Sequence, residues 1–168
     1  MECACFAGTT KGRGRSTQLE LKIPPPLVAL ATAALMWLAS RTVPGLRFAF
    51  PGRIYFAAGL AALGVLSAVS GVVAFRLART TLNPMKPDSA TSLVASGIYT
   101  VTRNPMYLGL LLALSGWAIF LSHVLAFIFL PAFVIYITRF QIVPEEKTLV
   151  SLFGHDFESY QSRVRRWL

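Results

Sequence analysis

Acidic residues and cysteine are both scarce in this chain. Asp and Glu number 7 against 16 Lys and Arg, which leaves a net charge of +9. Cys3 and Cys5 are the only cysteines, and two thiols in a polar tail neither staple a fold nor complete a metal site. The basic residues stand between apolar blocks and form no stripe with interleaved aromatics, so nucleic acid is not an expected partner. A metal is not expected either.

Charge is also absent from long apolar blocks, and this absence predicts a membrane protein. Apolar residues make up 55% of the sequence, and about 20 of them in a row cross a hydrocarbon core of about 30 Å. The first block begins at the prolines of residues 24–26 and runs to about Ser40, and residues 54–75 form a second block without any charge. The second block contains small residues that favour close helix approach: Gly59, Gly64, Ser67, Ser70 and Gly71.

A third apolar stretch is too long for one membrane helix. No residue between Asn104 and Thr138 carries a formal charge, and a single helix of that length would measure about 50 Å. The sequence therefore predicts a hairpin of helices over 105–121 and 124–141, with a turn at Ser122 and His123. Lys and Arg concentrate on the cytoplasmic side of membrane proteins. Four spans place 13 of them on one side and 3 on the other, whereas three spans give 8 and 8. We predict four membrane helices with both termini cytoplasmic, in a bacterial inner membrane.

The two ends of the chain differ from its apolar middle. Residues 1–22 lack hydrophobic periodicity, which indicates a flexible tail, and no clear cleavage site marks a secretory signal. Residues 23–168 are expected to form one membrane domain. After Pro144 apolar residues recur every three or four positions, which predicts an amphipathic segment divided into two short helices at Gly154. Three arginines of this segment are expected to face lipid headgroups: Arg163, Arg165 and Arg166. The predicted fold class is all-α, polytopic, with about four transmembrane helices.

Four short motifs follow one another in the second half of the chain. They read LVASGIY at 93–99, RNPMYLG at 103–109, EEKTL at 145–149 and FGHDFESY at 153–160. In order and spacing they resemble the isoprenylcysteine carboxyl methyltransferase family and its relatives among the phospholipid methyltransferases. That family shows LVxxGxY, R-[HN]-P-x-Y-x-G, a helical hairpin, E-E-x-x-L and F-G-x-x-Y/F-xx-Y. The resemblance covers residues 84–168, about half of the chain.

The resemblance implies an integral membrane methyltransferase that uses S-adenosylmethionine. Its cofactor pocket would lie at the cytoplasmic membrane edge, within the cofactor region 84–168, without a soluble nucleotide-binding domain. The chain accordingly has no GxGxxG motif. The residues carried over as cofactor contacts are Thr91, Ser92, Leu93, Val94, Tyr99, Asn104, Pro105, Met106, Tyr107 and Glu145. The candidate catalytic residues are Arg103 and Arg139.

The residue types themselves leave two interpretations for most of these positions. Asn104 before Pro105 is a good helix start, so free N–H groups there would face the cofactor's carboxylate or simply begin a helix. Tyr99 and Tyr107 offer a ring face to a sulfonium, or anchor the chain at the interface. Glu145 offers an acceptor for ribose hydroxyls or an ammonium group, or favours the first turn of a helix.

The roles of the charged candidates also follow from their residue types only in part. Glu146 is expected to act only on the helix dipole. Arg103 either binds a carboxylate or holds its loop against the C-terminal segment. Arg139 either contacts substrate or extends to the interface from a helix end. His155, which follows Gly154, is expected to be a solvated turn residue and not a general base.

Two departures from the family pattern concern the methyl acceptor. Asn104 stands where many members have histidine, and Gln141 stands where the eukaryotic enzymes have an arginine thought to assist the substrate carboxylate. The acceptor is expected to be a lipophilic or amphiphilic molecule that enters from the bilayer. The reaction is either O-methylation of the isoprenylcysteine type or N-methylation of the phospholipid type.

Two other classes of protein are alternatives. Membrane sterol reductases have a similar C-terminal region and use NADPH, but they carry a glutamate after the motif glycine where this chain has Leu110. A non-enzymatic membrane scaffold or transporter subunit is the other, although transport usually leaves ionisable residues inside the spans.

Overall fold

The computed structural model describes residues 23–48, 51–77 and 93–168, and these residues are helical with no strand. The all-α class is therefore confirmed, while the predicted tail at residues 1–22 lies outside the described residues. The helices are α1 Pro25–Thr42, α2 Arg53–Leu77, α3 Pro105–Leu121, α4 Val124–Ile137, α5 Val143–Phe153 and α6 His155–Arg163. Short 3₁₀ turns occupy Pro44–Leu46 and Gly97–Thr100, and a π turn, Thr138–Ile142, joins α4 to α5.

Small residues bring α2 and α3 into close contact. A Cβ atom on Gly64 would lie 2.6 Å from the carbonyl oxygen of Gly109, and one on Gly109 would lie 2.5 Å from the carbonyl oxygen of Gly64. Ser67 donates a buried hydrogen bond of 2.8 Å to the Pro105 carbonyl. The expectation of close approach is confirmed for these positions and for Gly71. It is wrong for Gly59, which has open space around its Cβ position.

Helix α3 lies at the centre of the fold and contacts α1, α2 and α4. The apolar core between α1, α3 and α4 includes Met36, Leu114 and Phe133, all of them buried. Trp117 donates its indole N–H to the Ala33 carbonyl at 3.1 Å and so links α3 to α1. A polar atom of a buried indole normally has such a partner, and here the partner is the backbone of a neighbouring helix.

Among the residues that the structure describes, two helices are long and apolar enough to cross a membrane: Arg53–Leu77 and the continuous helix Val124–Phe153. Helix α3 is apolar but has 17 residues, fewer than the usual length of a span. The helical hairpin is confirmed, because α3 ends where Ser122 adopts the left-handed conformation (φ 49°) and α4 begins at Val124. Four membrane crossings are thus not confirmed, although the helices predicted for them are present.

The prediction that the membrane helix ends near residue 141 is wrong. The helix continues through the π turn and Pro144 to Phe153. Pro144 has no N–H and its ring would collide with a carbonyl one turn earlier in a regular α-helix. A π turn directly before Pro144 changes the local spacing, so the chain continues without a break. The predicted break at Gly154 is confirmed: its φ is +49° and ψ −125°, and α6 begins at the next residue.

Candidate active site

Tyr107 and Glu145 meet between the start of α3 and the part of the long helix that follows the π turn. Tyr107 lies in the first turn of α3 and Glu145 in the first turn of α5, and the tyrosine hydroxyl donates to Glu145 Oε1 at 2.5 Å. Tyr107 is buried and Glu145 is partly buried. The resemblance implies that both residues line one cofactor pocket, and this bond brings their side chains together. Glu145 Oε2 has no donor within the described residues, so the carboxylate retains an acceptor for a ligand.

Tyr99 lies beside this pair in a second cluster of buried residues. The Tyr160 hydroxyl donates to the Tyr99 carbonyl at 2.7 Å, and the ring of Phe75 contacts Tyr99 edge to face with centroids 5.4 Å apart. Burial raises the pKa of Tyr99, and the nearby Tyr160 and Glu145 raise it further. Burial also raises the pKa of Tyr160 to about 12. Both phenols therefore stay neutral at physiological pH, and the cluster supports the site from the side of α2 and α6.

Glu146 is the centre of an ion-pair network. Its Oε1 lies 3.0 Å from Arg103 Nη1 and its Oε2 lies 2.6 Å from Arg166 Nη2. The side chains of Glu146 and Arg103 are 12% and 13% exposed, so this pair is far more shielded than a surface salt bridge. The hydrogen bond to Glu146 raises the pKa of Arg166. The expectation that Glu146 acts only on the helix dipole is wrong. Arg166 binds Glu146 with a side chain that is 37% exposed, so a position facing lipid headgroups stays a prediction for it.

The end of the chain returns to the start of α3. The backbone N–H of Arg103 donates to the Arg165 carbonyl at 3.0 Å, and the side-chain Nδ2 of Asn104 donates to the Arg166 carbonyl at 2.9 Å. Helix α3 begins at Pro105 as predicted, but the Asn104 side chain does not cap it, since its amide binds the returning chain instead. The structure therefore shows that Arg103 holds its loop against the C-terminal segment, and its binding of a ligand carboxylate stays a prediction.

The remaining predicted site residues are distributed differently. Pro105 and Met106 pack against Gly71 of α2. Their Cγ atoms lie 3.1 and 3.3 Å from the point that a Cβ atom added to Gly71 would occupy. Leu93 and Val94 join the Tyr99 cluster. Thr91 and Ser92 lie outside the described residues. Arg139 is exposed at the π turn and makes no hydrogen bond or ion pair to Tyr107 or Glu145. Cofactor contact by Leu93, Val94, Pro105 and Met106 stays a prediction, and so does a catalytic role for Arg139.

Sequence reasoning missed the partners that fix the site. Arg166 sits in a cluster of three arginines, and nothing in its spacing separates it from its exposed neighbours Arg163 and Arg165. Tyr160 is the last residue of the fourth motif, but the motif does not predict its bond to the Tyr99 carbonyl. An acidic pair directly after Pro144 was the one available signal, because two adjacent helical residues point about 100° apart and so meet different partners.

The residues present fit S-adenosylmethionine by their donors and acceptors. Arg103 Nη1 is held in the ion pair with Glu146, whereas Arg103 Nε is a buried donor with no acceptor in the described part of the chain. A guanidinium N–H without an acceptor suits a carboxylate. Glu145 Oε2 suits a ribose hydroxyl or an ammonium group. Within residues 23–48, 51–77 and 93–168 there is no group of three His, Cys, Asp or Glu residues that would hold a metal.

One known protein and one protein family resemble parts of this chain. An uncharacterized protein of Haemophilus influenzae (strain ATCC 51907 / DSM 11121 / KW20 / Rd) is 44% identical over 63 residues, which are 38% of this chain and the whole of that protein. A family model described as phospholipid methyltransferase matches residues 52–156, which include α2, the hairpin, and both Tyr107 and Glu145. By this match, over more than half of its length, the chain belongs to the phospholipid methyltransferase family of membrane methyltransferases.

Proposed function

We propose that the chain transfers a methyl group from S-adenosylmethionine to a lipophilic or amphiphilic acceptor that enters from the bilayer. The observation that carries this proposal is the Tyr107–Glu145 hydrogen bond of 2.5 Å, made between two motifs that are 38 residues apart in sequence. Methyltransferases of this family generally use S-adenosylmethionine. In keeping with the charge bias, the site faces the cytoplasm, where the cofactor is available.

Three side chains hold the cofactor in this proposal. Glu145 Oε2 accepts from a ribose hydroxyl or from the ammonium group, and Tyr107 fixes the carboxylate by donating to Oε1. The Nε–H of Arg103 donates to the cofactor carboxylate. When bound, S-adenosylmethionine supplies an electrophilic methyl group for a direct displacement. The protein's contribution is alignment and exclusion of water, since no covalent intermediate is needed.

The acceptor is best described as a phospholipid amine, with an isoprenylcysteine carboxylate as the alternative. Gln141 occupies the position where an arginine would serve a substrate carboxylate, and it is fully buried and uncharged. Its Nε2 donates one hydrogen to the Ile23 carbonyl at 2.8 Å. Gln141 therefore offers a substrate carboxylate no positive charge and at most its second amide hydrogen. The family match also supports a phospholipid.

Calorimetric titration of the purified protein with S-adenosylmethionine tests the cofactor. Glu145→Gln should weaken binding about ten- to a hundredfold, because a charge-assisted hydrogen bond in a partly desolvated site contributes about 1.5 to 3 kcal/mol. Glu146→Gln, compared at matched folded fraction, should lower affinity much less. Binding of NADPH in place of S-adenosylmethionine would instead support a reductase, and binding of neither would support a scaffold.

Transfer of a labelled methyl group tests the acceptor. The protein is reconstituted in vesicles that contain phosphatidylethanolamine, and separately with a prenylcysteine substrate in the same phosphatidylcholine background. Label in the phospholipid fraction would support N-methylation, and base-labile label in the prenylcysteine fraction would support O-methylation. Glu145→Gln provides the inactive control in both arms.

A further inference from the structure

A groove lies on the surface of the long helix, away from the Tyr107–Glu145 pair. It has a volume of about 490 Å³ and is lined by Val134, Ile135, Thr138, Arg139, Phe140, Val143 and Lys147. Lys147 and Val143 are each two positions from Glu145, so they point about 200° away from it around the helix. The groove is therefore separate from the proposed methyl-transfer site.

The two cations of this groove are exposed and have no acidic partner in the described part of the chain. Neither Arg139 nor Lys147 takes part in an ion pair there, whereas the acidic neighbour Glu146 is occupied by Arg103 and Arg166. Eight residues separate the cations, about 12 Å along the helix, and long side chains can bend from that distance toward one group between them. Between them Thr138 accepts from Trp167 Nε1 at 3.3 Å, which leaves its own hydroxyl proton to donate.

Below the cations the same surface is apolar and uncovered. Ile135 is 66% exposed and Ile128, one heptad earlier, is 61% exposed. The chain is uncharged from here back through α4 to α3, so this surface lies in the hydrocarbon of the membrane while the cations lie at its edge. An occupant must therefore combine a negative headgroup with hydrocarbon chains.

We propose that this groove binds one anionic phospholipid, with its phosphate between Arg139 and Lys147 and its acyl chains along Ile135 and Ile128. Charge complementarity and the adjoining apolar surface support a lipid over a free anion, because a free anion would gain nothing from Ile128 and Ile135. The lipid is a bound partner of the helix surface and is distinct from the methyl acceptor.

Native mass spectrometry of the full-length protein in mild detergent tests this proposal. Phosphatidylglycerol and phosphatidylcholine with identical acyl chains are supplied in equal amounts, and one phosphatidylglycerol should be retained in preference. The double variant R139Q/K147Q should lose this preference, with retention falling on the order of tenfold or more. The charge-keeping variant R139K/K147R should retain it. The control R163Q/R165Q, which removes two exposed charges elsewhere, should behave as the unmodified protein does.

Several outcomes would overturn the proposal. Equal losses in R139Q/K147Q and R163Q/R165Q would mean that retention reflects net charge alone. Displacement of the lipid by glycerol 3-phosphate at comparable concentration would mean an anion site without a role for acyl chains. If the double variant does not fold, the single variants R139Q and K147Q carry the test: each should lower retention severalfold, and no change in either would contradict the site.

Discussion

The two ends of the helical bundle are built on different principles. At the end defined by Tyr107, Glu145 and Glu146, called here the glutamate end, side chains bind other side chains, and Arg103 Nε has no acceptor in the described part of the chain. At the end defined by Ser122 and His123, called here the turn end, side chains mainly bind backbone. His123 donates from Nε2 to the Val43 carbonyl at 2.6 Å, and the Phe48 N–H donates to the Ser122 carbonyl at 3.1 Å.

This difference shows which end is suited to bind a ligand. At the turn end the carbonyl of Val43 has a partner, and His123 Nδ1 is a neutral buried atom without one in the described part of the chain. The glutamate end leaves charged groups unsatisfied, Arg103 Nε and Glu145 Oε2, and an unsatisfied charged group costs more stability than a neutral one unless a ligand satisfies it. Substitutions at the two ends should therefore differ in whether they change cofactor binding or only unfolding.

The largest effect is expected where the helix pair that joins the two ends is closest. Gly64→Ala would place a Cβ atom 2.6 Å from the Gly109 carbonyl oxygen, and neither backbone can yield without separating α2 from α3. We expect a loss in unfolding free energy of about 4 kcal/mol or more, above the usual overpacking cost of about 1 to 3 kcal/mol, because backbone atoms and not side chains would have to move. Gly59→Ala is the matched control in the same helix, where open space predicts no loss and a gain of about 0.5 to 1 kcal/mol. Thermal unfolding in detergent compares them, and equal melting temperatures would refute the close contact.

The second-largest loss in unfolding free energy is expected for Glu146→Gln. It leaves Arg103 in a shielded site without a counter-ion and frees Arg166, so we expect a loss of about 2 to 4 kcal/mol in unfolding free energy. Glu145→Gln should cost less stability and more cofactor affinity. A double-mutant cycle with Arg103→Gln measures the coupling of the pair. Additive losses would contradict the network, and a fall in affinity as large as that of Glu145→Gln would contradict the division of labour between the two glutamates.

His123→Ala sharpens the comparison from the turn end. His123 is fully buried, and its loss would leave the Val43 carbonyl without a partner, at a cost of about 1 to 3 kcal/mol in unfolding free energy. Affinity for S-adenosylmethionine, measured on the folded fraction, should stay unchanged. A weaker cofactor affinity in this variant would show that the two ends are coupled.

The smallest effect is expected at Ser122. Its left-handed conformation favours glycine, so Ser122→Gly should relieve strain of about 1 kcal/mol. The substitution also removes the 3.3 Å bond from Arg53 Nη1 to the Ser122 hydroxyl, which contributes a similar amount. The melting temperature should therefore change by only a few degrees. A loss as large as that of His123→Ala would mean that the Arg53 contact dominates the turn.

The positions of most helices could be predicted from the sequence because their causes are local. Prolines begin α1 and α3, charge-free apolar blocks define α2 and the hairpin, and Gly154 divides the last two helices. The end of α4 could not be predicted, because Pro144 usually interrupts a helix and only the π turn before it allows the helix to continue. The number of membrane crossings depends on the bilayer, and charge bias alone leaves it a prediction.

The sequence by itself determined the helical class and the hairpin, since local helix signals depend on residues close to one another in the chain. That Tyr107 and Glu145, 38 residues apart, share one site came only from the resemblance to a known family. Only the tertiary structure decided how Glu146, Arg103 and Arg166 are used. Their ion pairs join positions 20 and more residues apart, and spacing along the chain does not show which of several arginines returns to meet an acid. It likewise decided that Asn104 binds the returning backbone and that Arg139 faces outward, because both depend on where distant helices pack.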